Sequence, residues 1–190
     1  MAELLYQGHG SFRLTSDLGT VIYVDPFAGK GYDVLANLIL ITHFHFDHNQ
    51  RQLVKQNKET KTLTFEDFKS KTLIYKDILI ERVEAYNSNH KIEEGCGYII
   101  TIDNKRIYAT GDTSKTKEMK TIKNIDYLLI CGDGIYNMDL VEADECINII
   151  RPKHYIPYHI SPGKLFDKER AKLLTSENKL ILEPESVLKL

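Results

Sequence analysis

The stretch Leu38-Ile39-Leu40-Ile41-Thr42-His43-Phe44-His45-Phe46-Asp47-His48-Asn49 narrows the choice of fold more than any other part of this chain. An apolar strand runs straight into three histidines and an aspartate. Neutral imidazole nitrogen and carboxylate oxygen are donors that zinc, manganese and iron accept. In extended backbone the side chains alternate with period two, so His43 and His45 point to one face and can share an ion. If the chain then turns into a helix, Asp47 and His48 can swing toward a second ion. A random surface loop would seldom place three of the chain's seven histidines in this register at a strand end.

Around this segment the first third reads as strands over 3–7, 11–15, 21–25 and 38–42, punctuated by Gly8, Gly10, Gly19 and Pro26. A helix is predicted over 47–56, with Asp47 as its N-cap. Strands at 72–75 and 78–85 form a hairpin around Lys76 and Asp77, followed by a loop over 86–95. The order then repeats: strands 97–102 and 106–109, a turn at Gly111, a helical stretch 115–123, and a strand 127–130. Helix 139–150, strand 154–159, helix 163–176 and strand 179–183 complete the pattern, with Pro152 closing the first of these helices. No fixed-period repeat joins the halves. Their echo in element order predicts an α/β protein in four layers, α/β/β/α, with residues 1–190 as a single domain.

At 190 residues, 42% hydrophobic and 27% charged, the chain matches ordinary globular composition and has enough length for a real core. The net charge of −2 gives no footprint for nucleic acid, so no nucleic-acid partner is expected. Apolar runs are far shorter than the roughly 20 residues of a membrane span, and the N-terminus lacks the pattern of a signal peptide. Cys96, Cys131 and Cys146 are odd in number and widely spaced, which fits a reduced, cytoplasmic setting. The lysines at 115, 117, 120 and 123 read as a solvated face.

H-x-H-x-D-H after a hydrophobic strand resembles the signature of the metallo-β-lactamase superfamily. His9 in YQGHGS, Asp25-Pro26, Gly111-Asp112-Thr113 and Ile156-Pro157-Tyr158-His159 follow that superfamily's order over about the whole chain. The details resemble its small stand-alone branch of metal-dependent hydrolases, which includes ascorbate-6-phosphate lactonase-like proteins; Ala85-Tyr86-Asn87 is similar to that branch's tyrosine-asparagine loop. The resemblance implies that His43 and His45 bind one ion with a third histidine, and that Asp47 and His48 bind a second with His159. Asp112 would bridge them. The third histidine is expected to be His90, with His154, inside the last predicted strand, as the alternative. Asp25 would orient a metal-binding imidazole through its second nitrogen. His9 is either a supporting or substrate-contacting group or an ornament of a hairpin turn. Asp133, in the segment Cys131-Gly132-Asp133-Gly134-Ile135-Tyr136-Asn137-Met138, departs from the branch's pattern.

This ligand set implies a metal-dependent hydrolase with two Zn2+ ions, Mn2+ or Fe2+ being the other candidates. A water shared between the ions would have its pKa drawn from about 15.7 toward about 7 and supply hydroxide at neutral pH. Asp47, His48 and Asp112 are the expected catalytic group. The substrate would be a small molecule with an ester, lactone or phosphoester bond, and the oligomeric state is open. No G-x-S-x-G nucleophile motif is present. The competing readings are a mononuclear iron oxygenase on the same scaffold and a non-catalytic metal-binding protein.

Overall fold

The computed structural model describes residues 1–68 and 70–190. In chain order the strands are β1 Glu3–Gly8, β2 Ser11–Thr15, β3 Val21–Val24, β4 Leu38–Ile41, β5 Lys61–Thr64, β6 Thr72–Tyr75, β7 Ile78–Glu84, β8 Cys96–Ile102, β9 Lys105–Ala109, β10 Tyr127–Ile130, β11 His154–Pro157 and β12 Val187–Lys189. They form two six-stranded sheets, in the orders β12-β1-β2-β3-β4-β5 and β6-β7-β8-β9-β10-β11. In each sheet the first three pairings in those orders are antiparallel and the last two parallel. The halves therefore share a topology although their sequences share no repeat.

Alternation along the strands explains the layers. In β3 and β4, Ile22, Val24, Leu38 and Leu40 join the core between the sheets. Their neighbours Val21, Tyr23, Ile39 and Ile41 form a second cluster with Tyr32, Ala36 and Val54 on the opposite face. Both faces are covered, which is why β4 reads LILI with no polar break. The Tyr98 hydroxyl donates to the Ile41 carbonyl at 2.9 Å, tying β8 to the end of β4 across the interior. The fold is the expected αββα sandwich, with uneven outer layers. Helix α1, Leu140–Ile150, is capped by Asp139 and buries Ala143, Cys146, Ile147 and Ile150. It packs at the end of β10, where Gly132 meets Leu140 and Ala143. Over the first sheet the cover is loop and 3-10 turn.

Three predicted helices are shorter or tighter than expected. Over 47–56 there are only the 3-10 turns Phe46–His48 and Arg51–Leu53. Val54 is the one fully buried residue after His48, so no apolar stripe supports a helix, and the Asp47 carboxylate is engaged by His9 instead of capping backbone. Over 115–123 the buried residues Thr116, Met119 and Ile122 recur every third position, the period of the 3-10 turn Glu118–Lys120 that forms there. Over 163–176 the helix is only Lys168–Lys172, here α2. Asp167 caps it by accepting from the Arg170 amide, and Thr175 and Ser176 leave the helical path to donate to Asp144. The predicted strand 179–183 is reduced to a single bridge between Lys179 and Tyr155. The strand that the C-terminal segment does form is β12, at the edge of the first sheet beside β1.

Functional loops leave the C-terminal ends of the parallel strands, where ligand crevices form in α/β sheets. Asp25 follows β3, the His43–His48 segment follows β4, Asp112 follows β9, Asp133 follows β10 and His159 follows β11. The hairpin β1–β2 adds His9, and the equivalent β7–β8 connection in the other half adds His90.

Candidate metal centre

The loop after β4 is stitched to the second sheet before it delivers its histidines. Cys96 donates its amide to the Thr42 carbonyl at 3.0 Å, and His43 forms an isolated bridge with Gly95. Opposite it, Gly111 stands at φ +65°, and a Cβ there would lie 2.6 Å from the Cys96 carbonyl oxygen, so only glycine lets Asp112 approach from β9. Asp25, His9 and His159 also adopt left-handed backbone, at φ of 45°, 54° and 44°, although none is glycine. Strained backbone of this kind concentrates at functional sites.

Two donor clusters result. His43, His45 and His90 bring one ligand atom each within 4.8 Å of one another, as do His9, Asp47, His48 and His159. Asp112 lies between them: its Oδ1 is 3.4 Å from both His48 Nε2 and His159 Nε2, and its Oδ2 is 3.9 Å from His43 Nε2. His43 Nε2, His48 Nε2, His159 Nε2 and Asp112 Oδ1 are all buried without a hydrogen-bond partner. Polar atoms buried unpaired carry a free-energy cost, and four converging in one place fit a cation better than any protein contact. The residues present therefore suit metal.

The imidazoles are fixed from behind. Asp25 accepts from His48 Nδ1 at 2.8 Å and from the Thr42 hydroxyl at 2.5 Å, and Thr42 Oγ1 in turn faces His43 Nδ1 at 2.9 Å. One carboxylate thus orients two rings and turns both Nε2 atoms toward Asp112, as supporting groups do around metal ligands. Asn87 Oδ1 faces His90 Nδ1 at 3.1 Å, which turns His90 Nε2 toward His45 Nδ1, 3.1 Å away. Asn87 also donates to Asn137, and Asn137 to Asp133, whose Oδ2 is 3.4 Å from His159 Nδ1. This chain of contacts runs behind both clusters. His9 Nε2 donates to Asp47 Oδ2, 3.0 Å away, and its ring centroid lies 3.8 Å from that of His159.

The electrostatics follow from burial and from crowding of like groups. Burial, reinforced by His48, pushes His43 down to about 2, so it is neutral and its lone pair is available at any working pH. Burial opposes a charge on His48 as well, but Asp112 and Asp25 outweigh it and hold that ring up at about 9. Asp112 is fully buried yet lies well below the usual carboxylate range because His159, His48 and His43 surround it.

The structure brings His43, His45, Asp47, His48, His90, Asp112 and His159 together. His154 stands at the start of β11, stacked on Tyr127 with ring centroids 5.5 Å apart, a strand's length from His159. His90→Ala is expected to lower metal content and cut turnover severely, whereas His154→Ala should leave metal content unchanged; elemental analysis of both variants checks this, and the reverse pattern would mean the third histidine has been misplaced. Thr42, Asn87 and Asn137 were not singled out by sequence for the supporting roles they occupy. Hydroxyl and amide side chains carry no metal signal of their own, although the Tyr86-Asn87 motif marks where to look.

Comparison with known proteins places this geometry. The sequence model of the family described as "Beta-lactamase superfamily domain" matches residues 3–159. The chain belongs to that superfamily. A UPF0173 metal-dependent hydrolase of Thermococcus onnurineus is 27% identical over the full length of both chains. A crystal structure from Parabacteroides distasonis, of a protein classed as a metal-dependent hydrolase, is 29% identical and superposes with a TM-score of 0.80 over 97% of this chain and 94% of its own. Igni18, a metallo hydrolase of Ignicoccus hospitalis, shares the fold with a TM-score of 0.79 at 23% identity, over 98% of this chain and 97% of its own. As a superfamily member the chain is matched by these relatives end to end, with both donor clusters inside the aligned span.

Proposed function

We propose that this protein hydrolyses an ester, lactone or phosphoester bond of a small molecule with two metal ions, most simply zinc. His43, His45 and His90 hold one ion, Asp47, His48 and His159 the other, and Asp112 lies between. The observation that carries this reading is the set of buried, partnerless nitrogen and oxygen atoms facing one another around Asp112. The metal-dependent hydrolase names of the relatives support the same reaction class.

Bound there, the ions supply Lewis acidity, lowering the pKa of water and drawing charge from the substrate oxygen. The chain's own residues position the reactants. Asp25 holds His48 directly and His43 through Thr42; Asn87 holds His90; His9 holds the half-buried Asp47 carboxylate at the mouth of the site. A covalent route through cysteine has no support, because Cys96 and Cys146 are each pushed up to about 12 by burial and Cys131 is pushed further. Buried, unpaired cysteines also suit a reduced, cytoplasmic setting. No helix among the described residues is long and apolar enough to cross a membrane.

The test is an anaerobic assay of zinc-loaded protein against p-nitrophenyl esters, lactones and bis-p-nitrophenyl phosphate. Turnover is expected without oxygen, since zinc has no redox chemistry. Turnover only with iron and oxygen would replace the reading by an oxygenase, and tight zinc binding with an inert panel would favour a binding protein.

A further inference from the structure

We propose that the substrate is an uncharged ester or lactone whose acyl part is apolar, an inference that rests on the hydrolase reading above and narrows it. A cleft of about 650 Å³ opens onto both donor clusters, within the size range of small-molecule sites. Besides the donor residues its wall is formed mainly by Phe27, Phe46, Tyr136 and Pro162. Phe46 is 74% exposed and Tyr136 56%, on loops that face the site from opposite halves of the molecule. The fold has no use for this exposure: Phe46 contributes nothing to either apolar cluster, yet it sits between the donors His45 and Asp47 and packs edge-on against Phe27 at 5.7 Å. Large apolar surface left in water beside a reactive centre marks a place where a ligand covers it.

Charge around the cleft points the same way. Among the described residues no lysine or arginine lines it. The depression that adjoins it past His43 and His90 carries Glu66, Glu93 and Glu94. The neighbouring cations Lys164 and Lys91 lie on the exposed surface outside the cleft wall, 3.0 Å from Asp167 and 4.0 Å from Glu94. A phosphate or carboxylate on the substrate away from the scissile bond would meet Glu66, Glu93 and Glu94 and, among the described residues of the cleft wall, no lysine or arginine, an arrangement that disfavours such ligands. A neutral acyl chain instead covers Phe46 and Tyr136. The reaction is then plain hydrolysis. The water oxygen bonds to the carbonyl carbon, the carbon–oxygen bond to the alcohol breaks, and the alcohol leaves with a proton, giving acid and alcohol.

The experiment compares p-nitrophenyl acetate, butyrate, octanoate and hemisuccinate on the zinc-loaded enzyme, with binding of octanamide and acetamide followed in parallel by NMR. KM for octanoate is expected about tenfold or more below that for acetate, in line with burial of several methylenes, and hemisuccinate should be used about tenfold less well than butyrate. Phe46→Ser should bring the octanoate and acetate KM values together and weaken octanamide binding. Ile74→Ser, at an exposed position that does not line the cleft, should keep the wild-type ratio. Ester turnover with no chain-length preference, or a preference for hemisuccinate, overturns the apolar assignment and leaves the hydrolase reading standing. No ester turnover together with Phe46-dependent octanamide binding overturns the ester branch of the hydrolase reading and keeps the apolar site. Loss of both results overturns both.

Discussion

Asp112→Ala is expected to reduce hydrolysis by about three orders of magnitude or more and to lower metal content at the same time. The expectation comes from where the carboxylate stands. Its two oxygens face Nε2 of His48 and His159 on one side and Nε2 of His43 on the other, so it meets both clusters where their unpartnered nitrogens converge, whereas Asp25 reaches His48 and His43 from behind. Removing it takes away the group that would fix the spacing between two ions, and with it the position of the water and the stabilisation of charge on the substrate. Asp112→Asn separates charge from shape. It keeps the side-chain volume and an acceptor oxygen, so a loss comparable to that of the alanine variant would assign the effect to the negative charge. Turnover and elemental analysis are read together, and circular dichroism confirms that each variant is folded. Wild-type turnover in Asp112→Ala, with two ions still bound, would show that this residue does not hold the centre.

The part of the site that sequence revealed most clearly is the part built from chemistry with few other uses. Three histidines and an aspartate beyond an apolar strand have a local register, and that register alone brings His43 near His45 with ring centroids 4.8 Å apart. Gly111-Asp112 was legible because it couples a carboxylate to a backbone constraint, the Cβ-free approach at Gly111, whereas Asp25-Pro26 was read through the family resemblance and its left-handed φ appears only in the structure. Asp133 was not. Its carboxylate accepts from the amides of Ile135 and Tyr136 and from Asn137, which looks from sequence like an ordinary Asx turn, and its relation to His159 depends on two strands that are remote in the chain.

The fold shows the same division. Strands β1 to β4 and β6 to β11 announce themselves by continuous or alternating apolar residues. The outer layer over the first sheet does not, because Val54 and Ala36 anchor loops whose backbone is decided by contacts such as Gln50 to Pro26 and Ala36 to Lys55. Helical propensity over 47–56 lost to the site itself: Asp47 was needed by His9, and the donors of the β4 loop set the path of the chain before any helical turn could close.

Removing metal with a chelator should abolish turnover, and lowering pH should release the two ions one after the other, beginning with the one at Asp47, His48 and His159. Ligands bind metal in their deprotonated forms, so every proton a cluster holds without metal competes with the ion. His43 is pushed far down by burial and His90 is lowered by burial too, so their cluster has little proton to surrender near neutrality. His48 is held up at about 9 and His159 is also raised, both against burial, through Asp112 and their second carboxylate partners Asp25 and Asp133. Their cluster must lose protons to take up an ion, and its apparent affinity falls more steeply as pH drops. The same directions fix the stability of the metal-free chain. The contribution of His48, whose folded pKa is raised, is fully present below about pH 6.5 and is lost as pH rises toward about 9. His43, whose folded pKa is depressed, refuses a proton that the unfolded chain accepts below about pH 6.5, so its effect destabilises the fold on acidification. Metal-free protein should therefore melt highest near pH 6 to 7, whereas zinc-loaded protein should gain stability above that range as proton competition fades. Zinc content after equilibrium dialysis at a series of pH values, with thermal melts of both forms, measures all of this. Simultaneous loss of the ions, or retention of the one at His48 and His159 after the His43 cluster has emptied, would contradict the assignment of protons to the two clusters.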